Sequence, residues 1–217
     1  MCHRFATLKR ADIMKAAESI AAELALEGID LSMLDALETY RQHLSRPIDA
    51  AEAYPSSTVA VIAATGRGSQ LAVADMVWGF DAPWASSGTV YNARIESILE
   101  GQDGMWADAA VRRRCIVAVR AFFETHRSET ALDKTTGKSA KRQYAFERAD
   151  GEPLFLAAVH EKGRFALVTT KPCACVADVH NRMPLVLNTQ EAAQWLGGRY
   201  ADLADRSKVP LYAKPED

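Results

Sequence analysis

From Pro55 to Leu187 the chain is mostly a succession of short runs rich in β-branched and aromatic residues, divided by turns too brief to hold regular crossover helices. Strands joined this way pair antiparallel with near neighbours, so the spacing predicts an antiparallel α+β domain on a curved, barrel-like sheet. The runs Thr58 to Ala63 and Leu71 to Trp78 flank Gly-Arg-Gly-Ser at 66 to 69, which reads as a hairpin turn. Gln143 to Arg148 and Pro153 to Val159 flank Ala149-Asp150-Gly151-Glu152, and Asp-Gly supplies the positive φ that tight hairpins need, so a second hairpin is expected there. Cys115 to Val119, Arg164 to Thr169 and Pro184 to Leu187 bring the strands to at least seven.

Helices are expected at both ends of this region. Ile13, Ala16, Ala17, Ile20 and Leu24 recur at helical spacing, as do Leu34, Leu37, Tyr40 and Leu44, with Gly28 as a stop between the two stretches. Asn188 followed by Glu191 resembles a capping box, opening a helix that carries Ala192, Trp195 and Leu196. No Pro/Gly/Ser-rich linker divides the 217 residues, so one domain over 1–217 is expected. Hydrophobic residues at 48% and charged residues at 25% exclude disordered, collagen-like and coiled-coil readings.

Met-Cys-His-Arg-Phe has no apolar segment behind it, and no run approaches membrane-spanning length. The cytoplasm is therefore the expected compartment, with the four cysteines as free thiols. A net charge of −2 gives no reason for indiscriminate adhesion to nucleic acid, so any polyanion must be held by a local patch. Arg112 to Arg114 and the stretch from Lys134 to Arg142 are the candidates, each also readable as a solvated face.

Four places carry possible chemistry. If Met1 is removed, Cys2 presents a thiol beside a free α-amine, and at a pKa of about 7.7–8.0 that amine is partly unprotonated at neutral pH. Such a 1,2-aminothiol condenses with an aldehyde to an imine, which the thiol closes to a thiazolidine; the plain alternative is a frayed terminus. Trp78-Gly79-Phe80-Asp81-Ala82-Pro83-Trp84, followed by Asn92, Arg94 and Glu96, offers two rings for base stacking and a guanidinium for a phosphate, or else core packing. Glu124, directly after Phe122 and Phe123, is either a desolvated carboxyl able to shuttle protons or a surface acid. His180-Asn181-Arg182-Met183-Pro184 compresses an imidazole, a guanidinium and a rigid turn before a strand. Cys173 and Cys175 near His180 raise zinc, but structural zinc wants four ligands and usually wider cysteine spacing.

The order of the motifs adds what no single one carries. Met-Cys-x-Arg-Phe, Trp-Gly-(x)4-Trp, Asn-Ala-Arg-x-Glu, Arg-Cys-Ile with Phe-x-Glu, then Thr-Thr and His-Asn-Arg-Met-Pro-Leu-Val-Leu resembles the SOS-response-associated peptidase (SRAP) family from Cys2 to about Trp195, interrupted by a diverged helical stretch at about 10–46. The resemblance implies a central barrel-like sheet with flanking helices and a covalent cross-link to abasic sites, chiefly in single-stranded DNA. It implies Cys2 as the nucleophile after autocatalytic loss of Met1, Asn92 orienting the amine, Glu124 as acid/base, and His180 assisting sugar ring opening and lyase-like Schiff-base chemistry. Arg4 and Arg94 match phosphate-contacting arginines; Trp78, Trp84 and Arg182 complete the expected DNA face. No metal or organic cofactor is implied, and the expected state is a monomer, nucleoid-associated when on DNA.

The sequence departs from the family pattern at His3, Ala121 and Thr125, and the family's Asn-x-Ala-Pro becomes Glu52-Ala53-Tyr54-Pro55. The family's longer C-terminal segment has no match in Val209 to Asp217. Two other readings stay open: a thiol peptidase using Cys2, His180 and Glu124 on external peptides, and a non-covalent single-strand binder.

Overall fold

The computed structural model describes residues 2–35, 50–83, 85–86, 88–100, 104–132 and 137–216. The first half runs β1 (Phe5–Thr7), α1 (Arg10–Leu26), β2 (Glu52–Ala53), β3 (Thr58–Ala64), β4 (Leu71–Trp78), β5 (Phe80–Asp81), β6 (Thr89–Val90), β7 (Asn92–Arg94), α2 (Ile95–Glu100) and α3 (Ala107–Arg112). The second half runs β8 (Arg114–Leu132), β9 (Ser139–Glu147), β10 (Leu154–Glu161), β11 (Arg164–Thr170), α4 (Ala174–Ala177), β12 (Met183–Pro184), β13 (Val186–Leu187), α5 (Thr189–Leu196) and β14 (Tyr212–Pro215).

Strand pairing closes on itself: β10 pairs β11, β11 pairs β4, β4 pairs β3, β3 pairs β8, and β8 returns to β10. Alternation along these strands explains why they read as nearly continuous apolar runs. On β10, Leu154, Leu156 and Ala158 join one hydrophobic layer with Phe5, Val61, Trp78, Phe122 and Phe165. Phe155, Ala157 and Val159 face the other layer, which includes Ile13, Ile20 and Leu24 of α1 and Trp195 and Leu196 of α5. Both faces of β10 and of the strands beside it are thus buried. The pairings are antiparallel except for β11, which runs parallel to β4 and to β7.

The local signals at the helices act as their chemistry demands. Gly28, at φ 63°, ends α1 while Ile29 donates its backbone N–H to Leu24 O at 2.9 Å, satisfying a carbonyl the helix leaves open. Asn188 and Glu191 form the reciprocal capping box at α5. Of the second stretch expected to be helical, Leu34 is buried, and residues from 36 to 49 lie outside the described residues.

Two expectations are corrected. Residues 143–148 and 153–159 do not form a hairpin: β9 and β10 lie one after the other along the same edge of β8, with Phe122 opposite Phe146 and Val119 opposite Leu154. Gly151 does take φ 75°, but β8 is 19 residues long and templates both segments, so the turn offsets the chain instead of reversing it. Two of the three arginines in the Arg112 to Arg114 triplet are not open to an anion either. Arg113 is buried among Asp35, Asp108 and Glu161. Arg114 donates to the carbonyls of Ala110, Trp195, Leu196 and Gly197, tying the C-terminal ends of α3 and α5 to the sheet.

Candidate active site

The segment before β1 is held by β8 on one side and β2 on the other, with Phe5 opposite both Phe122 and Ala53. That register carries Cys2 inward: its side chain is fully buried and its Sγ donates to Arg4 O at 3.4 Å. From β7, the Asn92 side chain reaches it, and Nδ2 donates to Cys2 O at 2.8 Å. β7 is fixed by its parallel pairing with β11, Asn92 lying opposite Leu167. Asn92 Oδ1 is buried with no hydrogen-bond acceptor role filled among the described residues.

Glu124, two residues past Phe122 on β8, is 1% exposed, so it is not the surface acid of the plain alternative. Burial pushes its carboxyl up to about 7. His180, on the turn after α4, sits with Nδ1 3.7 Å from Glu124 Oε2. Its backbone N–H donates to Val176 O at 2.8 Å, and Nδ1 accepts from the Arg182 backbone N–H at 3.1 Å. Partial burial lowers the imidazole's pKa. Both shifts favour the neutral forms of the two groups. Desolvation, then the neighbouring Glu124 charge, drive the Cys2 thiol well above its ordinary value. Cys2, Asn92, Glu124 and His180, which lie up to 178 positions apart in sequence, thus share one buried site.

The proposed DNA-facing residues are distributed differently. Trp78 is fully buried, packs against Phe5, Tyr91 and Phe165, and donates Nε1–H to Tyr91 O at 2.9 Å, which leaves no ring face for a base. The Gly before Phe80 belongs to this packing, because at Gly79 (φ 120°) a Cβ would collide with Thr89 Cγ2. Trp84 lies outside the described residues. Arg94 is exposed at the end of β7, two residues from Asn92. Arg182 forks onto Glu96 at 2.7 and 2.9 Å and donates to Thr169 O at 2.7 Å, so its guanidinium joins the His180 turn to α2 and β11. Arg4 is also engaged, by Glu52 and Glu216. Sequence reasoning passed over Glu52, Gln143 and Glu216; the only signal was the acid at Glu52 where the family pattern carries Asn.

The family model for SOS response associated peptidase (SRAP) matches residues 1–216, nearly the whole chain. The chain belongs to the SRAP family. A relative named abasic site processing protein YoqW from Bacillus subtilis is 26% identical over 168 residues, covering 70% of each chain. Abasic site processing protein YedK from Escherichia coli is 27% identical over 163 residues, 69% of this chain and 68% of that one. Among solved structures, a protein from Bordetella bronchiseptica superposes with a TM-score of 0.63 over all of both chains at 20% identity. One from Bacteroides thetaiotaomicron gives 0.61 at 18% identity over 99% of this chain and 91% of that one. These two likenesses concern the fold, which is the SRAP fold anticipated from the motifs.

No described helix is long and apolar enough to cross a membrane. No group of three His, Cys, Asp or Glu side chains among the described residues is placed to hold a metal. Cys173 and Cys175, with Sγ atoms 3.5 Å apart, remain thiols, as do Cys2 and Cys115.

Proposed function

We propose that this protein processes abasic DNA by covalent capture, forming a thiazolidine between Cys2 and the sugar aldehyde in single-stranded DNA. The observation that carries the reading is the buried Cys2–Asn92 contact beside the Glu124–His180 pair. Hydrolysis of the Met1–Cys2 peptide bond consumes one water and frees the Cys2 α-amine. The amine then adds to the aldehyde of the ring-opened sugar, and loss of water gives the imine. Addition of Cys2 Sγ to the imine carbon, with the thiol proton passing to nitrogen, closes the five-membered ring.

Each residue has a task that its environment suits. Asn92 grips the Cys2 carbonyl through Nδ2, and its buried Oδ1 is an acceptor for the new amine. Glu124, poised near neutral pH, exchanges protons with the amine, the carbinolamine and the thiol. His180, largely neutral, is placed to relay a proton to Glu124 or to assist opening of the sugar. Arg94 offers its exposed charge to the flanking phosphate.

The alternatives fit the geometry less well. A thiol peptidase works through a thiolate, a form that the burial of Cys2 disfavours. A single-strand binder that stacked bases on Trp78 is disfavoured, because that ring is in the core, while Trp84 lies outside the described residues. The reading requires maturation, so the intact mass of the purified protein should lack Met1. Quantitative retention of Met1 in protein that still cross-links DNA would refute the amine's role.

A further inference from the structure

Arg4 spends all of its hydrogen-bonding capacity within the molecule. A guanidinium has five N–H donors. Nε donates to Glu52 Oε2 at 2.8 Å and Nη2 to Glu52 Oε1 at 2.6 Å. The Nη2 and Nη1 groups also fork onto Glu216, at 2.9 and 2.6 Å, and Nη1 donates to Gln143 Oε1 at 3.1 Å. One face of its plane is covered too, with the guanidinium carbon 3.9 Å from the centroid of the Phe123 ring. Two carboxylates on one guanidinium leave a local charge of −1, where an arginine two residues from Cys2 would otherwise present +1.

The two acids are not held alike. Glu52 is part of β2, which pairs with β1 next to Arg4 itself, Ala6 lying opposite Glu52. Glu216 follows β14, a mostly exposed four-residue strand whose only sheet partner among the described residues is β9. The Glu216 backbone N–H continues that ladder to Gln143 O at 2.8 Å.

We infer that Glu216 is an internal occupant of an anion subsite: it forks onto Arg4 in place of a phosphodiester, and DNA binding displaces it. Glu52 stays and keeps the guanidinium oriented. The inference rests on the proposed capture of abasic DNA, since it assigns the occupant's rival as the backbone beside Cys2. An arginine–carboxylate fork and an arginine–phosphate fork have the same planar geometry, so exchange needs no rebuilding of the subsite. The device raises the threshold for binding any single strand, a consequence of its electrostatics and not of base sequence.

The test compares wild type, Glu216→Gln, Glu216→Ala, and Glu152→Gln, which removes the same charge from an exposed turn outside the Arg4 hydrogen-bond cluster, by anisotropy titration of an undamaged single-stranded oligonucleotide at low salt. Both Glu216 variants should bind roughly three- to fivefold tighter than wild type, as loss of a partly exposed ion pair permits. In an Arg4→Ala background the gain should vanish. Equal gains in Glu152→Gln, unchanged affinity in both Glu216 variants, or a gain that persists without Arg4 would each overturn the inference. Denaturing gels with abasic DNA, run on the same preparations, report the capture chemistry separately: a wild type that binds but makes no adduct refutes the proposed function and leaves the displacement measurement to stand or fall alone.

Discussion

Glu124 Oε2 lies 3.7 Å from His180 Nδ1, and the two residues arrive there from unrelated parts of the fold, one in mid-strand on β8 and the other on the turn after α4. Their proximity joins a carboxyl raised by burial to an imidazole lowered by it, so both shift toward the neutral form.

The Glu124 carboxyl makes stability depend on pH with a definite sign. Its rise from the ordinary 4.5 to about 7 means the native state holds a proton that the unfolded chain has lost over that interval. Its own contribution to stability therefore falls as pH climbs from 4.5 to 7 and levels off above, by about 3 kcal/mol at most, against the opposite trend from buried His160, whose imidazole is lowered to about 4. Glu124→Gln removes the linkage, so the variant should gain on wild type between pH 4.5 and 8 in denaturant melts. A wild-type-minus-variant difference that is constant across this range would contradict the raised value. The same substitution should slow adduct formation by about 10²–10⁴-fold and abolish any rate change centred near pH 7.

Trp78 tests core packing against base stacking. Trp78→Ala deletes a ring wedged between Phe5 and Phe165 and the hydrogen bond to Tyr91 O, and should cost about 3–5 kcal/mol in urea unfolding. Little loss of stability with a large loss of single-strand affinity would return Trp78 to the DNA face.

Arg94 is expected to act on binding alone. Arg94→Ala should weaken damaged and undamaged single strands alike and reduce the slope of log affinity against log salt by about one phosphate, roughly 0.7. Adduct formation at saturating DNA should stay near the wild-type rate. An unchanged slope with a collapsed saturated rate would place Arg94 in the chemistry or the fold.

What the sequence revealed followed the range of the interactions involved. Local signals read true: the β-rich run from Leu71 to Trp78, the stop at Gly28 and the Asn188–Glu191 cap depend on residues a few positions apart. Asp150-Gly151 misled because turn chemistry fixes φ but not which strand the next segment joins; the length of β8 decided that. The motif order picked out Cys2, Asn92, Glu124 and His180, yet their burial could not be read beforehand, since it depends on β1, β7 and β8 converging. Arg4 and Arg182 read as free cations because their partners, Glu216 and Glu96, lie 212 and 86 positions away.

The most direct measurement is a denaturing gel of the mature protein incubated with single-stranded DNA carrying one abasic site. The wild type should give a slower band that survives denaturation, and Cys2→Ala, with the fold intact by circular dichroism, should give none. Absence of the band in wild type, or an equally stable band in Cys2→Ala, would contradict covalent capture through Cys2.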